Sequence, residues 1–166
     1  MKQILVDVKR CLGCKSCEIA CAVGHSVTKN LFTAIAETYK PRKRVFVEQG
    51  NGLNFPVQCR HCEEPACVQA CMAGALKKDA GTGVVIHDAD RCVDCWMCVM
   101  TCPFGALGQD KQGKVVVKCD RCSETGDPQC VKACPTKAIM YLPVDDFSKN
   151  RRVSYLSNIF YQEEGK

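Results

Sequence analysis

A chain of 166 residues with 16 cysteines and a formal charge of +5 has the length of one ordinary domain or two small ones. Its longest apolar runs, such as Val115 to Val117, are strand-sized, so direct membrane insertion is not expected. The cysteine content would suit a disulfide scaffold in a short secreted chain, but the N-terminus MKQILVDVKRC shows no apolar h-region, cleavage site or twin-arginine signal, which points to the cytoplasm, to reduced thiols and to metal.

In chain order, Ile4-Leu5-Val6 predicts a strand running into a first quartet, Cys11, Cys14, Cys17 and Cys21, spaced C-x2-C-x2-C-x3-C. Residues 22–58 read as a connector. In it Leu31 to Ala36 is apolar enough for a turn or two of helix, Val45-Phe46-Val47 is strand-like, and Gly50-Asn51-Gly52 marks a turn. The second quartet, Cys59, Cys62, Cys67 and Cys71, has a longer step before its third cysteine. Gly74-Ala75-Leu76, the hairpin signal Asp79 to Gly83 and the strand Val84-Val85-Ile86 lead to the third quartet, Cys92, Cys95, Cys98 and Cys102, followed by Pro103. The same unit recurs in Gly105-Ala106-Leu107, the turn Gln109 to Gly113 and Val115-Val116-Val117. It precedes the fourth quartet, Cys119, Cys122, Cys130 and Cys134, after which Lys137-Ala138-Ile139 is a strand leaving the loop. Beyond Pro143 no cysteine follows. Val153, Tyr155, Leu156, Ile159 and Phe160 recur at helical spacing there, as a packing strap or a docking element.

The third quartet with its proline has the spacing of the bacterial run that holds a [4Fe-4S] cluster, in which three thiolates converge on one cluster and the fourth ligates a neighbouring one. Four such quartets predict four [4Fe-4S] clusters, each shared between two quartets. Cys59 to Cys102 reads as a complete two-cluster ferredoxin, so the first and fourth quartets must complete each other. The sets are then Cys11, Cys14, Cys17 with Cys134; Cys119, Cys122, Cys130 with Cys21; Cys59, Cys62, Cys67 with Cys102; and Cys92, Cys95, Cys98 with Cys71. A competing scheme pairs first with second and third with fourth, but the long 22–58 spacer suits an excursion better than a hairpin. The expected fold is α+β: an outer ferredoxin-like module (1–21 and 103–142), a connector (22–58), an inserted module (59–102) and a tail (143–166).

The charge would loosely suggest nucleic acid, yet it counts every cysteine as neutral. Two negative charges per oxidised four-thiolate site, eight in all, bring +5 to about −3, and nucleic acid drops out as a partner. Arg10, Arg91 and Lys118 each precede the first cysteine of a quartet, while Arg60 and Arg121 lie inside one, placed to offset cluster charge or simply to be solvated. Loop amides such as those of Gly13 and Lys15 are expected to hydrogen-bond the sulfurs. Zinc is the competing cofactor for CxxC pairs, although it rarely uses this run. An enzyme would need a pocket and an acid, base or nucleophile. The imidazoles His25, His61 and His87 make no such arrangement, His61 being expected to be solvated or sulfur-facing, and no Gly-rich loop supports a nucleotide cofactor.

On these quartets and their nested order, the chain from Ile4 to about Leu142 resembles the four-cluster ferredoxin-like electron-transfer subunits that serve molybdopterin oxidoreductases of the dimethyl sulfoxide reductase type, formate dehydrogenases, aldehyde oxidoreductases, hydrogenases and carbon monoxide dehydrogenases. The segments RCLGCKSCEIACAVGHS, KNLFTAIAE and QCRHCEEPACVQAC look most like the iron-sulfur subunit of carbon monoxide dehydrogenase. The resemblance implies the same nested pairing, no catalysis by the chain itself, a catalytic redox subunit as one partner, and a flavoprotein oxidoreductase or hydrogenase as the second. Two departures stand out: Cys21 and Cys71 are followed by Ala22 and Met72 where the motif prefers proline. Trp96 stands beside Cys95, not in its place, so no quartet loses a cysteine.

Overall fold

Strand pairing in this protein is local except once. The computed structural model describes residues 2–110 and 115–163, with side chains described for 2–110 and 116–159. Among the described residues, eight strands make four separate antiparallel pairs. Three are hairpins: β2 (Val45–Gly50) with β3 (Leu53–Gln58), β4 (Leu76–Lys78) with β5 (Val85–His87), and β6 (Leu107–Asp110) with β7 (Val115–Lys118). The fourth joins β1 (Lys2–Val6) to β8 (Ile139–Pro143), in a register running from Lys2↔Pro143 to Val6↔Ile139. Asn51 (φ 50°) and Gly52 (φ 76°) make the β2–β3 turn, the two-residue type with both φ positive that matches strand twist. In the β4–β5 turn Asp79 accepts from the Thr82 amide (2.7 Å) and hydroxyl (2.5 Å), the side-chain mimicry that favours Asp in turns. Most of the turn expected at Gln109 to Gly113 lies outside the described residues, but the strands flanking it pair as the pattern implied.

Helices are short, and the fold is α+β as the sequence indicated: α1 (Ser16–Gly24), α2 (Leu31–Ala36), α3 (Ala66–Gln69), α4 (Met97–Thr101), α5 (Gln129–Lys132) and α6 (Val144–Glu163). The third cysteine of each quartet rides on α1, α3, α4 or α5. Three of these end before the fourth cysteine, whereas α1 runs through Cys21 to Gly24. Proline disfavours helical backbone in the residue before it, so Pro103 and Pro135 stop the chain at Cys102 and Cys134, and Ala22 lets it continue. Cys71 lacks a proline too, yet the chain turns after it as it does after Cys102 and Cys134, with Gly74 (φ 62°), Gly105 (58°) and Lys137 (56°) all left-handed, and Met72 is left 94% exposed.

Helices α1 and α5 pack together, as do α3 and α4. One buried cluster joins Ile4, Cys17, Cys21, Val45, Cys119, Cys130, Cys134 and Ile139; the other joins Leu76, Val85, Cys98, Leu107 and Val116. Leu107 and Val116 lie past residue 102, so the β6–β7 hairpin packs on the side of the second and third quartets. The connector is more than a spacer. Val45 is 2% exposed in the first cluster, and buried Glu18 of α1 accepts from the Val47 amide and from the Lys43 ammonium, both at 2.6 Å. Burial would raise the Glu18 pKa, but those two donors hold it below the usual carboxylate range. The β2–β3 hairpin thus forms a wall of the first core.

Helix α6 is longer than the spacing of its apolar residues required. It lies on β1 and β8, with Arg151 on Asp7 at 3.0 Å, and from Arg151 to Ile159 every residue is exposed. Val153, Tyr155, Leu156 and Ile159 are therefore not a strap; the side chain of Phe160 lies outside the described residues. No described helix is long and apolar enough to cross a membrane.

Candidate metal centre

Each quartet loop repeats one backbone device. The residue just before the second cysteine is left-handed in all four: Gly13 (φ 70°), His61 (48°), Asp94 (59°) and Arg121 (57°). In the two short-spaced loops the residue after the second cysteine, Lys15 or Trp96, is left-handed as well, both at φ 60°. Alternation of this kind turns successive N–H groups toward one concave side and makes an anion nest of the type found at Fe–S sites. Only the first loop uses glycine, and a Cβ there would come within 2.7 Å of the Asn54 side chain on β3. We expect Gly13→Ala to cost about 1–2 kcal/mol from left-handed strain and this contact, seen as faster iron loss to a chelator, while Asp94→Ala at the matching position changes little.

None of the sixteen cysteines is paired in a disulfide in the structure. The structure brings them together across quartets. Cys59, Cys62, Cys67 and Cys102 line one small cavity, and Cys71, Cys92, Cys95 and Cys98 line another. Around the first core, Cys14 lies within electrostatic reach of Cys134, and Cys130 within reach of Cys119, Cys21 and Cys122. Burial pushes the Cys17 and Cys98 thiols up to about 11 and Cys119 to about 12, and raises Cys130 too. Such buried sulfurs become thiolates only when a cation replaces their protons. Four thiols drawn from two quartets around each cavity are the shared-ligand arrangement of a two-cluster ferredoxin, and that sharing favours a multi-iron group over a zinc ion.

Donors are placed to stabilise thiolates. The Arg44, Arg121 and Ala138 amides donate to the sulfurs of Cys21 (3.2 Å), Cys119 (3.4 Å) and Cys134 (3.2 Å). The Ser16 hydroxyl and amide lower the Cys14 pKa. The left-handed Gly13 and Lys15 belong to the loop's own nest, the arrangement whose N–H groups would face a bound cluster. Sequence spacing pointed to neither Arg44 nor Ala138, because each reaches its sulfur through tertiary contact or from beyond the quartet.

Three buried polar side chains sit where the two cores meet. Lys118 (4% exposed) donates to the carbonyls of Val85 and, at 2.7 Å, of Cys119. His61, expected to be solvated or sulfur-facing, is 5% exposed, and its Nδ1 accepts from the Val85 amide at 3.0 Å. Burial, then the cations of Lys118 and Arg121, lower its pKa to about 3, so the ring is neutral with its proton on Nε2. That Nε2 is buried without a protein partner, as is one Arg121 nitrogen, and His61 lines the Cys59 cavity. An orphaned donor in a thiol-walled cavity is what a cluster sulfur would satisfy. Of the cations singled out in the sequence, Lys118 and Arg121 are buried, Arg60 stacks over Phe55 at 5.3 Å, and Arg10 and Arg91 are solvated.

His25, Asp120 and Cys122 also approach one another, their ligand atoms within 4.8 Å. The imidazole is already engaged, Nδ1 donating to the Cys21 carbonyl (2.7 Å) and Nε2 facing Asp120 (3.2 Å). Burial would lower its pKa, but the hydrogen bonds to Asp120 and Cys21 raise it to about 9. Arg44 occupies the other Asp120 oxygen. With two cations already on one carboxylate this trio is a clamp tying α1 to the fourth loop, not a separate metal site.

Residues 51–143 match the family described as a 4Fe-4S dicluster domain. An iron-sulfur protein of Rhodospirillum rubrum is 38% identical over 87% of this chain and 83% of its own length. The putative electron transport protein YsaA of Escherichia coli K12 is 33% identical over 89% of this chain and 94% of its own. One subunit of the anaerobic dimethyl sulfoxide reductase of the same organism is 32% identical over 87% and 74%.

Proposed function

The protein belongs to the 4Fe-4S dicluster family of electron-transfer subunits, and from that premise we propose that it carries four [4Fe-4S] clusters and relays single electrons between carbon monoxide dehydrogenase, as the catalytic subunit, and a second redox partner such as a flavoprotein oxidoreductase or hydrogenase. It is a carrier within an oxidoreductase assembly and not itself the catalyst. Bound clusters would supply one-electron transfer; the protein's part is to hold them in line and bias their charge.

The observation that carries this reading is the segregation of thiols across quartets, with one cavity for Cys59, Cys62, Cys67 and Cys102 and another for Cys71, Cys92, Cys95 and Cys98. It supports the nested ligand sets, with Cys11, Cys14, Cys17 and Cys134 as a third and Cys21, Cys119, Cys122 and Cys130 as the fourth. We propose an outer module of 1–21 and 103–142 around an inserted 59–102, working in the reducing cytoplasm, with the β6–β7 hairpin of the outer segment lent to the core of the inserted one. Cys59 packs against the outer core and lies within reach of Cys119, so those two sets meet at the joint. Cys14 and Cys95 are the two cysteines exposed to solvent, which supports a line with their proposed sets at its ends.

Anaerobically purified protein is expected to hold about sixteen iron atoms per molecule, with broad visible absorption that dithionite bleaches and little zinc. A colourless protein with stoichiometric zinc overturns the relay. The partner is tested by adding purified carbon monoxide dehydrogenase and carbon monoxide, which should bleach the clusters within seconds. The likeness to a dimethyl sulfoxide reductase subunit favours a second reading, in which a molybdopterin enzyme with its own substrate does so and carbon monoxide dehydrogenase does not.

A further inference from the structure

The end of the molecule marked by Cys14 is crowded with cations. Lys9 and Arg10 on the 3-10 turn before Cys11, Lys15 inside the first loop, Lys137 just beyond Cys134, and Arg151 and Arg152 on α6 are all exposed. Asp7 lies among them, but its side chain is 14% exposed and already carries Arg151 at 3.0 Å. The overhanging half of α6 and the 3-10 turn flank an open cleft of about 750 Å³, lined by Lys9, Arg10, Arg151 and Arg152 together with Tyr155 and Leu156. Tyr155 is 67% exposed, Leu156 51%, and Leu12 in the adjoining cluster loop 70%. Around Cys95 the exposed charges are of mixed sign, Asp88 and Asp90 beside Arg91, set among Met72, Met100 and Val93. The surface around Cys14 is thus the more strongly basic of the two.

We propose that the basic cleft between the 3-10 turn and α6 is the docking surface for an acidic redox partner, one that presents carboxylates around an apolar side chain and exchanges electrons through the loop of Cys11, Cys14 and Cys17. The inference rests on the relay reading and adds to it the chemistry of one partner. Charge complementarity names the occupant. A second copy of this cleft would bring four cations against four, and like charges facing one another oppose association. An acidic partner meets those cations at the rim and covers the apolar floor, the anatomy of an electrostatically steered, rapidly exchanging contact. The charges around Cys95 are mixed, so charge favours the basic cleft for that partner.

The test uses the anaerobic holoprotein and two probes of opposite charge. Binding of dye-labelled, oxidised plant-type [2Fe-2S] ferredoxin, an acidic one-electron carrier, is measured by fluorescence anisotropy at low and high salt. In parallel, the dithionite-reduced holoprotein is mixed with ferric cytochrome c, a basic acceptor that takes one electron per haem while one cluster loses one. The double substitution Arg10→Glu and Arg152→Glu should weaken ferredoxin binding tenfold or more at low salt and flatten its salt dependence, leaving the cytochrome rate within about twofold. Leu156→Asp, a solvent-facing single change, should weaken ferredoxin binding with iron content intact. Unchanged ferredoxin affinity in both variants overturns the proposal, and so does a failure of the unaltered protein to bind ferredoxin at low salt. Self-association of the unaltered protein that the substitutions abolish also overturns it, by giving the cleft to a second copy. Failure of the unaltered, reduced protein to reduce cytochrome c would instead count against the relay, whatever ferredoxin does.

Discussion

Cys102→Ser should alter the same cluster signal as Cys59→Ser and leave the one that Cys119→Ser alters untouched. Cys102 ends the third quartet, yet it faces the cavity of Cys59, Cys62 and Cys67, and Cys67 feels the charges of Cys59 and Cys102. Serine offers a harder oxygen with a far higher pKa than a thiol, so the variant should lose about one to four iron atoms per molecule while the remaining clusters keep their spectra. Paramagnetic resonance of the reduced proteins reads the outcome. Pairing of the third quartet with the fourth would make Cys102→Ser and Cys119→Ser share a signal, and the ligand sets would have to be redrawn.

The second large effect is expected at Lys118. Its Nζ donates to the Val85 carbonyl of one core and the Cys119 carbonyl of the other, so it is at once a strut and a buried positive charge where the two cores meet. Lys118→Met keeps the length and removes the charge. Reduction adds negative charge, so a nearby cation favours the reduced form; deleting it should lower the potentials of the clusters assigned to Cys59 and Cys119 by roughly 50–100 mV, the scale of one unit charge several ångströms away at an effective dielectric near 20. Clusters at the Cys14 and Cys95 ends should move less. The two carbonyls left without a donor add about 1–3 kcal/mol of destabilisation each. A redox titration followed by paramagnetic resonance separates the roles: a strut alone would change stability without a graded shift in potential.

What could be read from the sequence was whatever is encoded by spacing. The quartets, the hairpin signals at Asp79 and Asn51, and the helical recurrence in the tail all depend on neighbours close in the chain, and the structure forms those elements. Burial of charge was not legible, because Lys118 and Arg91 each stand one residue before a quartet and only the packing of β5 on β7 puts the first inside. Glu18 looks like any surface glutamate until the β2–β3 hairpin folds over it and supplies the Val47 amide. The tail's apolar stripe was visible, but what anchors α6 is the Arg151–Asp7 pair and the contact with β1 and β8, neither of which the stripe contains.

The pairing of β1 with β8 has a consequence for biogenesis. Val6 and Ile139 are partners across roughly 130 residues, so at a synthesis rate of about 5–20 residues per second β1 waits on the order of ten seconds for the strand that completes it. Over that interval Cys11, Cys14 and Cys17 have left the ribosome while Cys134 has not, whereas Cys59 to Cys102 emerges as one uninterrupted stretch. The inserted module can mature while the protein is still being made, and the outer one closes only after β8 emerges. Until then the early thiols depend on a chaperone or scaffold to keep them from oxidation, and truncation anywhere before Ile139 strands them.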